Sequence, residues 1–311
     1  MSGRPTAVAA ELVLDARAEL AEGPVWDDRR GVLWWVDIVG GRVHRFDPGT
    51  ATDVATEIGG TVGCLALTEQ GSVVAAAAHA LLEVDPDTGA TRTVAALADP
   101  ARFRSNDGKC DANGRFWLGR LALDRAPGTS TLFRLDGRGI FPVVPDLTIP
   151  NGLDWSGDGR RMFFVDSPDR LVSVMDFDPG AGTVSPRRVF WRTSDVPDLP
   201  PESVPDGLTV DADDHVWVAI WGGGCVLRLT PDGALDRRVD VPVSRVSSCA
   251  FGGDDLTELF ITTAREDASE QELAAQPTAG GIYRANPGVR GRLPNRLRLE
   301  WFDGLESEVQ A

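Results

Sequence analysis

Residues 150–166 read PNGLDWSGDGRRMFFVD, an amide and a glycine opening a short apolar strand, a polar turn, and a second apolar strand. The same plan recurs along the chain. Second strands read GVLWWVD (31–37), GSVVAAA (71–77), GRFWLG (114–119), RRMFFVD (160–166), HVWVAI (215–220) and TELFIT (257–262). With Trp34, Val73, Phe116, Met162, Val216 and Leu259 as register marks, the unit averages about 45 residues. Third strands close on turn dipeptides such as the Asp-Pro of FDPGT and the Pro-Asp-Gly of TPDGA. Short strands at this spacing predict four-stranded antiparallel blades, and six of them predict an all-β, six-bladed propeller spanning residues 1–311 as one domain. Only DASEQELAAQ (267–276) has a helical pattern, too little for a parallel α/β fold. Closing the ring requires a spare strand, and both ELVLD (11–15) and LRLEWF (297–302) are candidates.

Four of the repeats open on an oxygen-bearing side chain followed by glycine: Glu22-Gly23, Asp107-Gly108, Asn151-Gly152 and Asp206-Gly207. The first strand of a blade lines the central channel, so these residues meet at one mouth of it. Blades two and six supply the smaller Val62-Gly63 and Ser247-Ser248 there. One such pair is an ordinary turn signal. Four in one repeat form a cluster of hard oxygens suited to a divalent cation. Trp34, Trp117 and Trp217 match in second strands, and Trp26 and Trp155 in first strands; aromatics at repeated positions are read as packing between blades.

Composition narrows the partners. A net charge of −16 argues against nucleic acid or an anionic membrane. The four cysteines lack metal-type spacing and are read as packed, reduced thiols. The leading segment has no basic start followed by a long apolar run, so a cytoplasmic protein is expected, as a monomer or weak dimer. His44, His79 and His215 accompany no GxSxG motif, which leaves no Ser-His-Asp reading.

The chain resembles the gluconolactonase, regucalcin (senescence marker protein) and luciferin-regenerating enzyme family. EGPVW (22–26), SNDGKCDANGRFW (105–117), PNGLDWSGDG (150–159), VPDGLTVDADDHVWVA (204–219), SSCAFGG (247–253) and QPTAGGIYR (276–284) carry the likeness. It implies metal ligands at Glu22, Asn151 and Asp206, substrate contacts at Arg104 and Asn106, and an acidic contact at Asp124 in place of the family's glutamate. The implied activity is metal-dependent opening of sugar lactones. The implied cofactor is one divalent ion, Ca2+ before Zn2+, Mg2+, Mn2+ or Fe2+. The alternatives are a non-catalytic calcium-binding propeller and an esterase or organophosphatase on the same fold. Asp206 is the first candidate base and Asp107 the second. Arg120 departs from the family pattern; it is read either as a pocket cation that favours anionic lactones or as the partner of a surface acid. The proline-rich connection 192–205 is expected over the mouth.

Overall fold

A computed structural model describes residues 6–302. Six sheets follow one another in sequence, and each of the six innermost strands packs on the next. These strands are Ala21–Asp27, Val62–Leu67, Phe103–Cys110, Pro150–Trp155, Val204–Val210 and Val246–Gly252. The sixth returns to touch the first, so the ring is closed and blade three stands opposite blade six. The N-terminal segment supplies the closure: Glu11–Leu14 pairs antiparallel with Ile282–Ala285 and becomes the outer strand of blade six. LRLEWF does not form a strand; Leu299–Phe302 is a 3-10 turn. A strand the sequence reading did not anticipate, Thr6–Ala9, adds to the edge of blade five in parallel. The expected helix spans Glu270–Ala275, with Ser269 and Glu272 forming a capping box. Among the described residues no helix is long and apolar enough to cross a membrane.

The second strands are almost wholly buried, since each is covered by both neighbouring blades. Trp117 and Trp217 are fully enclosed, and each donates its indole N–H to an aspartate at the far-end turn of its own blade, Asp111 at 3.0 Å and Asp211 at 2.9 Å. They are packing residues, as their repeat positions imply. All four cysteines are buried and free. His44 stacks on Trp35 and its Nδ1 meets Asp53 at 2.7 Å, a structural role.

Every innermost strand carries a bulge at the same place, for example between Pro150 and Leu153 and between Pro205 and Leu208. A bulge re-aims the side chains of its extra residue, and here it does so at the mouth. The register beyond the bulge identifies the equivalent mouth positions. Trp26, Cys110, Trp155 and Val210 pair with Leu33, Phe116, Met162 and Val216. Counting back four residues from each gives Glu22, Asn106, Asn151 and Asp206. Two expectations are corrected. The blade-one mark is Leu33, not Trp34. Asn106, not Asp107, holds the blade-three mouth position, and Asp107 occupies the place that glycine takes in blades one, four and five.

The far end of the channel is closed differently. Residues 290–298 run across it as a strap that touches all six blades. Arg290 O accepts from Ala212 and Gly291 N–H donates to Leu256. Arg292 reaches Trp155 O, Asn295 Nδ2 reaches Cys110 O, Leu297 N–H reaches Leu67 O and Arg296 pairs with Asp28. Above this strap lies a cavity of about 410 Å³.

Candidate metal centre and its mouth

Two close approaches bring the mouth residues together. A Cβ on Gly152 would lie 2.5 Å from Asp206 O and 2.6 Å from Leu208 N. A Cβ on Gly207 would collide with Ser248. Glycine at these positions lets adjacent innermost strands touch through their backbones, as expected for a crowded axis.

Glu22, Asn151 and Asp206 are all buried, at 5%, 7% and 6% exposure. Three buried side-chain oxygens lack a hydrogen-bond partner among the described residues, and two of them are Asn151 Oδ1 and Asp206 Oδ1. Buried polar oxygens are rarely left so. Asn151 Nδ2 donates to Ser167 Oγ at 3.1 Å, which turns the amide oxygen the other way. One Glu22 oxygen accepts from its neighbour Gly23 N–H at 2.9 Å. Burial, then the carboxylates of Asp206 and Asp107, push Glu22 well above the usual carboxylate range. Burial and Asp107 do the same to Asp206, opposed by the Asn151 amide and by Arg104. Negative charge and unpartnered oxygen in one buried place is a donor set that fits a hard divalent cation. Among the described residues no group of three His, Cys, Asp or Glu side chains is disposed to hold a metal ion by itself.

Arg104 and Asn106 form a fixed pair beside this centre. Arg104 donates to Asn106 Oδ1 at 2.7 Å and to Ser105 O at 3.0 Å, and Asn106 Nδ2 donates to Pro150 O at 2.7 Å. Burial lowers the Arg104 guanidinium to about 10, still charged at neutral pH. Asp107 is half-buried, and Gly108 N–H donates to its Oδ1 at 2.7 Å. Burial raises it to about 6, against the pull of Lys109. Lys109 pairs with Asp154 at 3.1 Å deeper in the channel, so that ion pair separates the mouth from the far cavity.

Two candidates stand apart from this group. Asp124 is exposed on the excursion that follows the second strand of blade three, where its Oδ1 accepts from Ala126 N–H. Arg120 donates to the carbonyls of Ala98 at 2.8 Å and Phe103 at 3.3 Å. It makes no ion pair with a surface acid among the described residues; it anchors the 98–103 connection that leads into Arg104. The 192–205 connection starts and ends at the mouth end of the blades, pinned by buried Val196 and Leu199. The sequence reading missed Ser167, which orients Asn151, and Glu266, which lies near Asp206 and Arg104. A serine directly after a second strand and a glutamate in a helical excursion carry no local signal of either role.

The chain is similar to known proteins over almost its whole length. The chain is 36% identical to the pentonolactonase XacC of Haloferax volcanii, covering 90% of this chain and 95% of that one. It is 32% identical to regucalcin of Xenopus laevis, covering 93% and 98%. A solved structure titled as the calcium-binding protein regucalcin from Agrobacterium tumefaciens superposes with a TM-score of 0.88 at 26% identity, covering 94% and 98%. Residues 20–265 match the family model described as SMP-30/Gluconolactonase/LRE-like region, and the chain belongs to that family.

Proposed function

We propose that the protein is a metal-dependent hydrolase that opens sugar-acid lactones to aldonic acids. The observation that carries this reading is the meeting of Glu22, Asn151 and Asp206, two of them with unpartnered buried oxygens, beside the fixed Arg104–Asn106 pair. Relatives named pentonolactonase and putative sugar lactone lactonase support the substrate class. Glu22, Asn151 and Asp206 would hold the ion, two carboxylates balancing its charge. Oxygen donors suit Ca2+ first, then Mg2+ or Mn2+, with Zn2+ and Fe2+ as further candidates. When bound, the ion supplies Lewis acidity toward the lactone carbonyl.

The chain's own residues do the rest. Arg104 and Asn106 hydrogen-bond the ring hydroxyls and fix the ring against the mouth. Asp124, on the rim above, takes an outer hydroxyl. Asp107 keeps one carboxylate oxygen clear of the Gly108 N–H and is ionised above about pH 6, which suits a base at neutral pH. It accepts a proton from the attacking water. The water oxygen bonds to the carbonyl carbon, the ring C–O bond breaks, and the departing ring oxygen takes up a proton to become the hydroxyl of the acid. Asp206, the first choice from sequence, is better used as ligand, because coordination lowers a carboxylate's basicity. A site built only to hold calcium has no use for a buried arginine–asparagine pair, which favours catalysis over the purely ion-binding alternative.

The test is a substrate panel with chelated and then re-metallated protein. Lactone opening that disappears on chelation and returns with one divalent ion is the expected result. Hydrolysis that survives complete metal removal refutes the proposal.

A further inference from the structure

Blades three and six stand opposite each other, and each sends a long excursion over the mouth from the end of its second strand. The two meet. Arg125 Nη2 donates to Glu266 Oε1 at 3.2 Å. Because these blades are diametrically opposed, the ion pair crosses the opening rather than decorating one side of it. Both members are tied close to the site. Leu123 N–H donates to Arg102 O, two residues before Arg104. Glu266 N–H and Arg265 N–H both donate to Glu19 O, three residues before Glu22.

Three cations nearer the channel already have partners. Arg104 is held by Asn106 and a carbonyl, which leaves its other donors for ring hydroxyls, Arg120 binds two carbonyls, and Lys109 pairs with Asp154. Arg125 is different: its side chain is 46% exposed and is cancelled by a single carboxylate. A free guanidinium is a two-pronged receptor for a carboxylate, and a covered one is not. We propose that the Arg125–Glu266 pair is a charge filter across the substrate opening, in which Glu266 masks Arg125 and so favours neutral lactones over lactones that carry a carboxylate. The inference rests on the lactonase reading and adds to it a discrimination by charge at the opening.

The readout is the ratio of kcat/KM for an aldarolactone to that for the corresponding aldonolactone, glucaro- against glucono-lactone. Glu266→Gln should raise this ratio about three- to tenfold, the effect of removing one charge within about a Debye length of the substrate carboxylate. Arg125→Gln should lower it. High salt should shrink both changes, which a merely structural role would not produce. The swapped double variant Arg125→Glu/Glu266→Arg rebuilds the pair and should return the ratio toward wild type. Ratios that stay flat in both single variants, in a wild type that opens lactones, overturn the filter alone. A wild type that opens no lactone with any metal overturns the lactonase reading and takes the filter with it.

Discussion

Asp107→Asn in metal-free protein should stabilise the fold while removing the base. The Asp107 carboxylate rises from an ordinary 3.8 to about 6 because it is buried, with a small addition from Asp154. Between about pH 4 and 6 the folded protein therefore holds a proton there that the unfolded chain has released. Stability falls as pH rises through that window, and the full penalty persists above it. Two units at about 1.4 kcal/mol each give about 3 kcal/mol, which partial exposure reduces to about 1–2 kcal/mol. Asparagine is isosteric, can still accept from Gly108 N–H, and carries no charge. Thermal unfolding in chelator, followed across this pH range, should show the variant melting about 2–4 °C above wild type at slightly alkaline pH. The gap should vanish at acid pH. It should narrow when metal is restored, because a nearby cation favours the ionised carboxylate. In the same variant the acid limb of the kcat/KM profile, which bound metal sets below pH 6, should be lost along with most turnover. A variant that melts at or below wild type in alkaline chelator refutes the assignment of strain to Asp107.

Two further substitutions probe the ligand set and the backbone that assembles it. Asp206→Ala should abolish metal-dependent turnover, with at least about a hundredfold loss in kcat/KM; preserved kinetics with restored metal would remove it from the site. Gly152→Ala should cost about 1–3 kcal/mol, because its Cβ would press on Asp206 O at 2.5 Å. Calorimetry reads that cost, and an unchanged melting curve counts against backbone contact between blades four and five.

The propeller was legible because its signal is repeated. Six apolar second strands at near-equal spacing leave few alternatives, and the Trp117 and Trp217 positions agree with burial. The register of one strand was not legible. In SNDGKC, Asn106 and Asp107 both precede glycine closely enough to suit the mouth, and only pairing of Cys110 with Phe116 beyond the bulge decides between them. Bulges break the period-two count on which such readings rest. The closing strand was open for another reason: ELVLD and LRLEWF are equally apolar, and the choice depends on which end reaches the edge left by Ile282–Ala285. Arg120 could be read as a pocket cation because sequence does not show that two carbonyls already hold it. Arg125 and Glu266 were invisible for the complementary reason, since they meet only after the ring is closed.

That dependence on closure extends to the whole site. Glu22, Asn106, Asn151 and Asp206 come from four blades, and the mouth they line exists only once the ring is closed. Burial and mutual repulsion both disfavour the ionised forms of Glu22 and Asp206, so the mouth works against the fold. The opposing structure lies at the other end. The 290–298 strap hydrogen-bonds or ion-pairs with every blade, and Glu11–Leu14 locks blade six from the other terminus. Interactions that stabilise the ring are concentrated at the strap end of the channel, and the charges that destabilise it are concentrated at the mouth, where the proposed chemistry lies. This is the division expected when strain at a site persists because the surrounding structure over-determines it. It also places the protein's tolerance for change: the strap can be weakened only at the expense of the mouth, because the same ring holds the buried carboxylates together.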